Sequence, residues 1–77
     1  MKIFPNPFSE SLTIRNAEVL EDVILEIYSG HGKLVYSNYI PVTDEINLSN
    51  LENGLYILKV IQNNKTIYTQ KALHLSS

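Results

Sequence analysis

Apolar and polar positions alternate with a period of two along almost the whole chain. Leu12 and Ile14 alternate with Ser11, Thr13 and Arg15; Val23, Leu25 and Ile27 share one face of the next run. Leu34, Tyr36 and Ile40 recur in the third run, Ile46 and Leu48 flank Asn47, and Tyr56, Leu58 and Val60 alternate in the fifth. In the last run Ile67, Leu73 and Leu75 are in phase. A two-residue period puts each set on one side of a pleated strand, and the β-branched and aromatic content agrees. With Met1–Phe4 as a short edge strand, the pattern predicts about seven strands. The stretch E-V-L-E-D-V-I at 18–24 is the best helical rival and is too short to carry an apolar stripe.

The breaks between runs carry turn chemistry. Ser29-Gly30-His31-Gly32 predicts a tight hairpin with positive φ at both glycines, and Asn63-Asn64 predicts another between the last two strands. Asn53-Gly54 predicts a sharp turn before the strongest strand, and Pro41 ends the run before it. Pro5-Asn6-Pro7 lacks two backbone donors, so it belongs neither in a helix interior nor in a central strand. It reads as a stiff, extended approach to the domain. Short strands separated by such turns imply an all-β sandwich or barrel of mostly antiparallel strands.

Length and charge narrow the function. At 77 residues the chain is one domain, 1–77, and its 44% hydrophobic content suffices for one thin core. A formal net charge of −2 gives no electrostatic case for nucleic acid, and no apolar run approaches a membrane span. Met1–Phe4 is too short for a secretory signal, so any such signal is expected outside this stretch. There is no cysteine to form a disulfide or a thiolate metal site. His31 and His74 lack ligand spacing and read as two exposed histidines; Asp44-Glu45-x-Asn47 does not converge on a cation. Glu21-Asp22 and Asp44-Glu45 point to opposite sides, no nucleophile elbow occurs, and Gly30-His31-Gly32 is no phosphate cradle. The expectation is no enzyme activity, no cofactor and no metal. The two N-x-S/T sequons, at Asn47 and Asn64, carry no weight.

Apolar residues also sit on the wrong face. If Tyr56, Leu58 and Val60 point inward, then Leu55, Ile57 and Ile61 point outward beside Lys59, and Ile24 and Tyr28 oppose Val23, Leu25 and Ile27. Should those two strands be neighbours, Ile24, Tyr28, Leu55, Ile57 and Ile61 form an apolar partner face. An alternative use of a β-sandwich, as a carbohydrate-binding or adhesive module, needs exposed aromatics in a row; Tyr28, Tyr36, Tyr39 and Tyr68 are the candidates.

The order of motifs now points to a family. P-N-P-F at 5–8, a β run, I-Y-S-G-H-G-K-L-V at 27–35, I-N-L-S-N-L-E-N-G-L-Y-I-L-K-V at 46–60 and a closing segment with Lys71 resemble the type A C-terminal sorting domain of the type IX secretion system. The resemblance spans nearly the whole chain. It implies a small Ig-like β-sandwich at the C-terminus of a secreted Bacteroidota protein. Residues 1–8 would be the junction with an N-terminal cargo domain. It further implies an address rather than an activity: transit through the periplasm, recognition by outer-membrane translocon or shuttle proteins, removal by a surface sortase, and delivery to the cell surface or medium. No direct membrane insertion is implied. The matching positions are Pro5, Asn6, Pro7, Gly32, Leu51, Gly54, Tyr56 and Lys71. All but Lys71 have structural explanations, with Leu51 expected to plug the end of the sandwich. Lys71, with Leu73, His74 and Leu75, is the candidate translocon contact. The chain departs from the family where a second lysine is usual, placing His74 there as a possible protonated substitute.

Overall fold

The structure, a computed structural model, describes residues 2–5, 8–15, 22–40 and 45–75. The described residues form seven strands: β1 (Lys2–Phe4), β2 (Ser11–Arg15), β3 (Val23–Ser29), β4 (Leu34–Tyr39), β5 (Glu45–Asn47), β6 (Gly54–Gln62) and β7 (Lys65–His74). They make a three-stranded sheet in the order β1-β2-β5 and a four-stranded sheet in the order β4-β3-β6-β7, with every strand pair antiparallel. Of the sandwich or barrel that the alternation allows, this is the sandwich, as the resemblance implies. It differs from the constant-type immunoglobulin arrangement in that the fourth strand pairs with the third instead of joining the first, second and fifth.

The core lies between the sheets. Ile3, Leu12, Ile14 and Ile46 project from one side, and Val23, Leu25, Ile27, Tyr56, Leu58, Val60 and Ala72 from the other. Phe8 and Leu48, outside the strands, complete it. Leu12, Leu25, Ile27, Leu58 and Val60 are wholly excluded from solvent, each burial contributing about 1.5–3 kcal/mol.

Two turns have the chemistry the sequence indicates. Asn63 and Asn64 hold φ of 53° and 63°, the pair of left-handed residues that a two-residue hairpin matched to strand twist requires. In the β3–β4 turn Gly32 has φ of 84° and its N–H donates to the Ser29 carbonyl at 2.9 Å. The Ser29 hydroxyl oxygen accepts from the N–H groups of His31 and Lys33, at 3.3 and 3.2 Å. Of the two glycines there, Gly32 is left-handed and Gly30 is not, so the turn needs positive φ once where the sequence predicts it twice. Gly54 opens β6 with φ of 150°, and no neighbour would meet an added Cβ, so the need for glycine there is purely backbone.

One expectation holds and another is corrected. Lys2–Phe4 is the short edge strand the pattern predicts, pairing with β2 in register Ile3↔Ile14, and Phe8 beyond it is only 1% exposed. Asn6 and Pro7 of the prolyl motif lie outside the described residues, as does Pro41. The last strand turns its other face inward. Ile67, Leu73 and Leu75 are 46%, 38% and 49% exposed, while Ala72 and His74 are buried and Tyr68 and Gln70 partly so. The cause is a β-bulge. The pairing runs Gln62↔Lys65 and Ile61↔Thr66, then shifts to Val60↔Tyr68. One extra residue in β7 exchanges inside for outside over the remainder of the strand.

Candidate functional site

β3 and β6 are central neighbours, and their register sets the outer face of the four-stranded sheet. Ile24 lies opposite Ile61 and Tyr28 opposite Ile57, with Glu26 facing Lys59 between them. β7 adds Leu73 beside Leu55 and Lys71 beside Ile57; β4 adds Tyr39 beside Ile24 and Leu34 beside Tyr28. The five residues Ile24, Tyr28, Leu55, Ile57 and Ile61 therefore share one face. Leu34, Tyr39, Leu55 and Leu73 are its most exposed apolar members, at 45%, 62%, 48% and 38%.

The middle of this face is polar and internally satisfied. The Tyr28 hydroxyl donates to Glu26 Oε1 at 2.8 Å, and Lys59 Nζ stands 5.0 Å from the Tyr28 ring centroid. The Glu26 carboxylate, by accepting that hydrogen bond, holds the Tyr28 phenol above its ordinary pKa, with desolvation and the negative charge adding to it. A self-contained polar row thus separates an apolar group at one end, Leu34, Tyr28, Ile57, Leu55 and Leu73, from a smaller one at the other.

The same end of the sandwich gathers the other residues singled out from sequence. Gly54 pairs with His74, so the start of β6 meets the end of β7. Tyr56 is 6% exposed and its hydroxyl donates to the Glu52 carbonyl at 2.6 Å, bracing the loop that precedes its own strand. Burial raises the Tyr56 pKa, assisted by the Glu52 carboxylate. Leu51 donates its N–H to the Leu48 carbonyl at 3.1 Å and packs, partly buried, against the core. Gly32 and Pro5 are exposed. Ser29, His31, Glu52 and Tyr56 line a shallow open depression between the two loops, with no converging set of catalytic groups among them.

Of the four candidate contacts on the last strand, Lys71, Leu73 and Leu75 are exposed. His74 is not. The reading of His74 as an exposed histidine is overturned: it is 0% exposed and is the one fully buried polar side chain among the described residues. Its Nε2 lies 2.7 Å from the Ser9 carbonyl, so Nε2 carries the proton and donates. Its ring meets Phe8 edge-on at 4.7 Å and Tyr56 at 6.3 Å, and Nδ1 is buried without a partner. The bulge, invisible to a count of alternating residues, moves it inside. Phe8 is the functional-end residue that sequence reasoning passed over; its place after a prolyl motif was the available signal.

The tyrosines do not align. Tyr36 and Tyr68 pair with Ile27 and Val60 and pack against the core, leaving Tyr28 and Tyr39 on the outer face.

Comparison with known families matches the secretion system C-terminal sorting domain over residues 2–74. Comparison with curated proteins returns no match. The matching family is one of sorting signals and not an enzyme family; membership implies an attached cargo protein, a secretion machinery that reads the signal, and export. The match covers the sandwich from its first strand to its last, and the chain belongs to the family of type IX secretion C-terminal sorting domains.

Proposed function

We propose that this domain carries its cargo across the periplasm and is recognised by an outer-membrane translocon or its shuttle proteins, after which a surface sortase removes it and leaves the cargo at the cell surface or in the medium. The observation that carries this reading is the family match over nearly the entire chain, joined to an outer sheet face that carries exposed large apolar side chains. The contact is assigned to Lys71, Leu73 and Leu75 with the neighbouring Leu55 and Ile57. Their cross-strand pairing, Leu55 with Leu73 and Ile57 with Lys71, makes one continuous surface of two strands. His74 supports this surface from inside. The carbohydrate-binding alternative is the weaker one, because two of its four tyrosines turn towards the core.

The test is a fusion of residues 1–77 behind a periplasmically targeted reporter in a Bacteroidota host with and without a working type IX translocon. Reporter outside the outer membrane only in the competent strain supports the proposal; stable reporter retained in the periplasm of both defeats it. In the same assay Lys71→Ala is expected to lower export severalfold with no change in melting temperature. Unfolding of that variant would remove Lys71 from the contact.

A further inference from the structure

The final strand is fastened to the opening of the chain by four hydrogen bonds that do not belong to either sheet. Phe8 N–H donates to the Leu73 carbonyl and Leu75 N–H donates to the Phe8 carbonyl, both at 2.9 Å, as a single parallel bridge between Phe8 and His74. His74 Nε2 reaches the Ser9 carbonyl at 2.7 Å, and Gln70 Nε2 reaches the Ile3 carbonyl at 3.1 Å. Tyr68 donates its hydroxyl to Gln70 Oε1 at 2.6 Å, which fixes the amide's orientation so that its nitrogen faces Ile3. Three of these four bonds gather at residues 73–75 of the strand, and Phe8 wedges its ring against His74 and, at 6.5 Å, Tyr56.

We propose that Ile3, Phe8 and Ser9 form with Gln70–Leu75 a clasp that opens as a unit, and that Phe8, Gln70 and His74 are positioning residues that hold Lys71, Leu73 and Leu75 in place for recognition. The physical argument is one of geometry. β7 has a sheet partner on one side only, since it is the outermost strand of the four. The end of such a strand frays unless something ties it down. Here the tie comes from the chain's own opening, sixty-five residues away in sequence. Two polar side chains of β7, Gln70 and His74, each donate to a backbone carbonyl of that opening segment, so what they recognise is the path of its backbone. The bridge between Phe8 and His74 is parallel and Ile3 lies by Gln70, so the start of β1 stands on the Gln70 side, away from the end that carries Leu73 and Leu75. A cargo attached there leaves that end uncovered, while tension on it pulls along the clasp. This inference rests on the recognition surface proposed above, and the test separates the two.

Amide hydrogen exchange of the 77-residue chain reads the clasp directly. The Phe8 and Leu75 amides, which donate within it, are expected to exchange at a common rate, faster than those of Leu25 and Leu58. In Gln70→Ala and in His74→Phe, each lacking one bond and the second keeping an aromatic ring, Phe8 and Leu75 should accelerate together by roughly five- to tenfold, the effect of one net hydrogen bond. Leu25 and Leu58 should accelerate less. Equal acceleration of all four amides, or unrelated rates at Phe8 and Leu75, overturns the clasp. Fusions of the two variants in the secretion assay are expected to export less than the parent. Normal export from a variant with an open clasp overturns the positioning role while leaving the sorting function intact; no export from the parent fusion sinks the sorting reading and leaves the exchange result standing.

Discussion

The two sheets of this sandwich share a core and differ on their outer faces. On the three-stranded sheet Phe4 pairs with Thr13, which pairs with Glu45, and Ser11 pairs with Asn47; Arg15 stands 5.5 Å over the Phe4 ring and covers it. Apolar in, polar out is the expected division for an antiparallel sheet with one wet side. The four-stranded sheet breaks it. β3 and β6 read V-I-L-E-I-Y and L-Y-I-L-K-V-I, runs that a sheet buried on both faces would carry, interrupted by one facing pair of charges. A small domain gains little of its own stability from such a face. The difference teaches that inner-face alternation alone does not set the outer face: one sheet is polar outside, and the other carries the exposed apolar residues on which the proposed contact rests.

The comparison can be attacked from its costliest side first. Leu58→Ala removes a fully buried side chain on the inner face of β6 and is expected to destabilise the domain by about 2–5 kcal/mol, whereas Ile57→Ala, its outer-face neighbour, should cost less than half as much in the same denaturant titration. Similar costs at both positions would mean that inner and outer faces are not distinct. Gly54→Val forces a branched residue into φ of 150° and should cost about 1–3 kcal/mol by thermal melting, from backbone strain alone. Tyr56→Phe deletes the bond to the Glu52 carbonyl and should cost about 1 kcal/mol. Its pH profile adds a sign. The folded state raises the Tyr56 pKa, so its contribution is complete below the unfolded value near pH 10 and is lost as pH climbs through the higher folded one. The phenylalanine variant should lose less stability than the parent in that alkaline window. Smallest in stability is the pair Leu55→Ser with Leu73→Ser, at no more than about 1 kcal/mol. That double variant should lower export in the fusion assay, while Thr13→Ser on the opposite sheet leaves it unchanged. Export indifferent to both would end the claim that the sheets have different tasks.

Much of this was legible in the sequence. Strand number follows from the period of two, the last hairpin from Asn63-Asn64, and the outer apolar residues from the doubled hydrophobic positions of β3 and β6. The phase of β7 was not legible. Counting outward from a regular two-residue hairpin places Lys71 opposite Tyr56 in the core and His74 outside. The bulge after Thr66 reverses both, and nothing in I-Y-T-Q-K-A-L-H-L announces it, because Ile67 and Leu73 look better suited to a core than Ala72 and His74 do. The small Ala72 and the polar Gln70 and His74 make sense only once the opening segment is known to lie against them. That is a contact between the two ends of the chain, and local pattern carries no information about it.

The bulge also bears on how this domain can change over time. Because it acts as a parity bit for everything downstream, closing it into a regular ladder with every residue kept would set Ile67 opposite Val60 and exchange the exposed lysine and leucines for alanine and histidine, whereas deleting Ile67 removes the extra residue and leaves both faces as they are. The bulged residue is thus the one position of β7 that can be lost with no change in which side chains face outward, while a residue gained or lost further along the strand exchanges them.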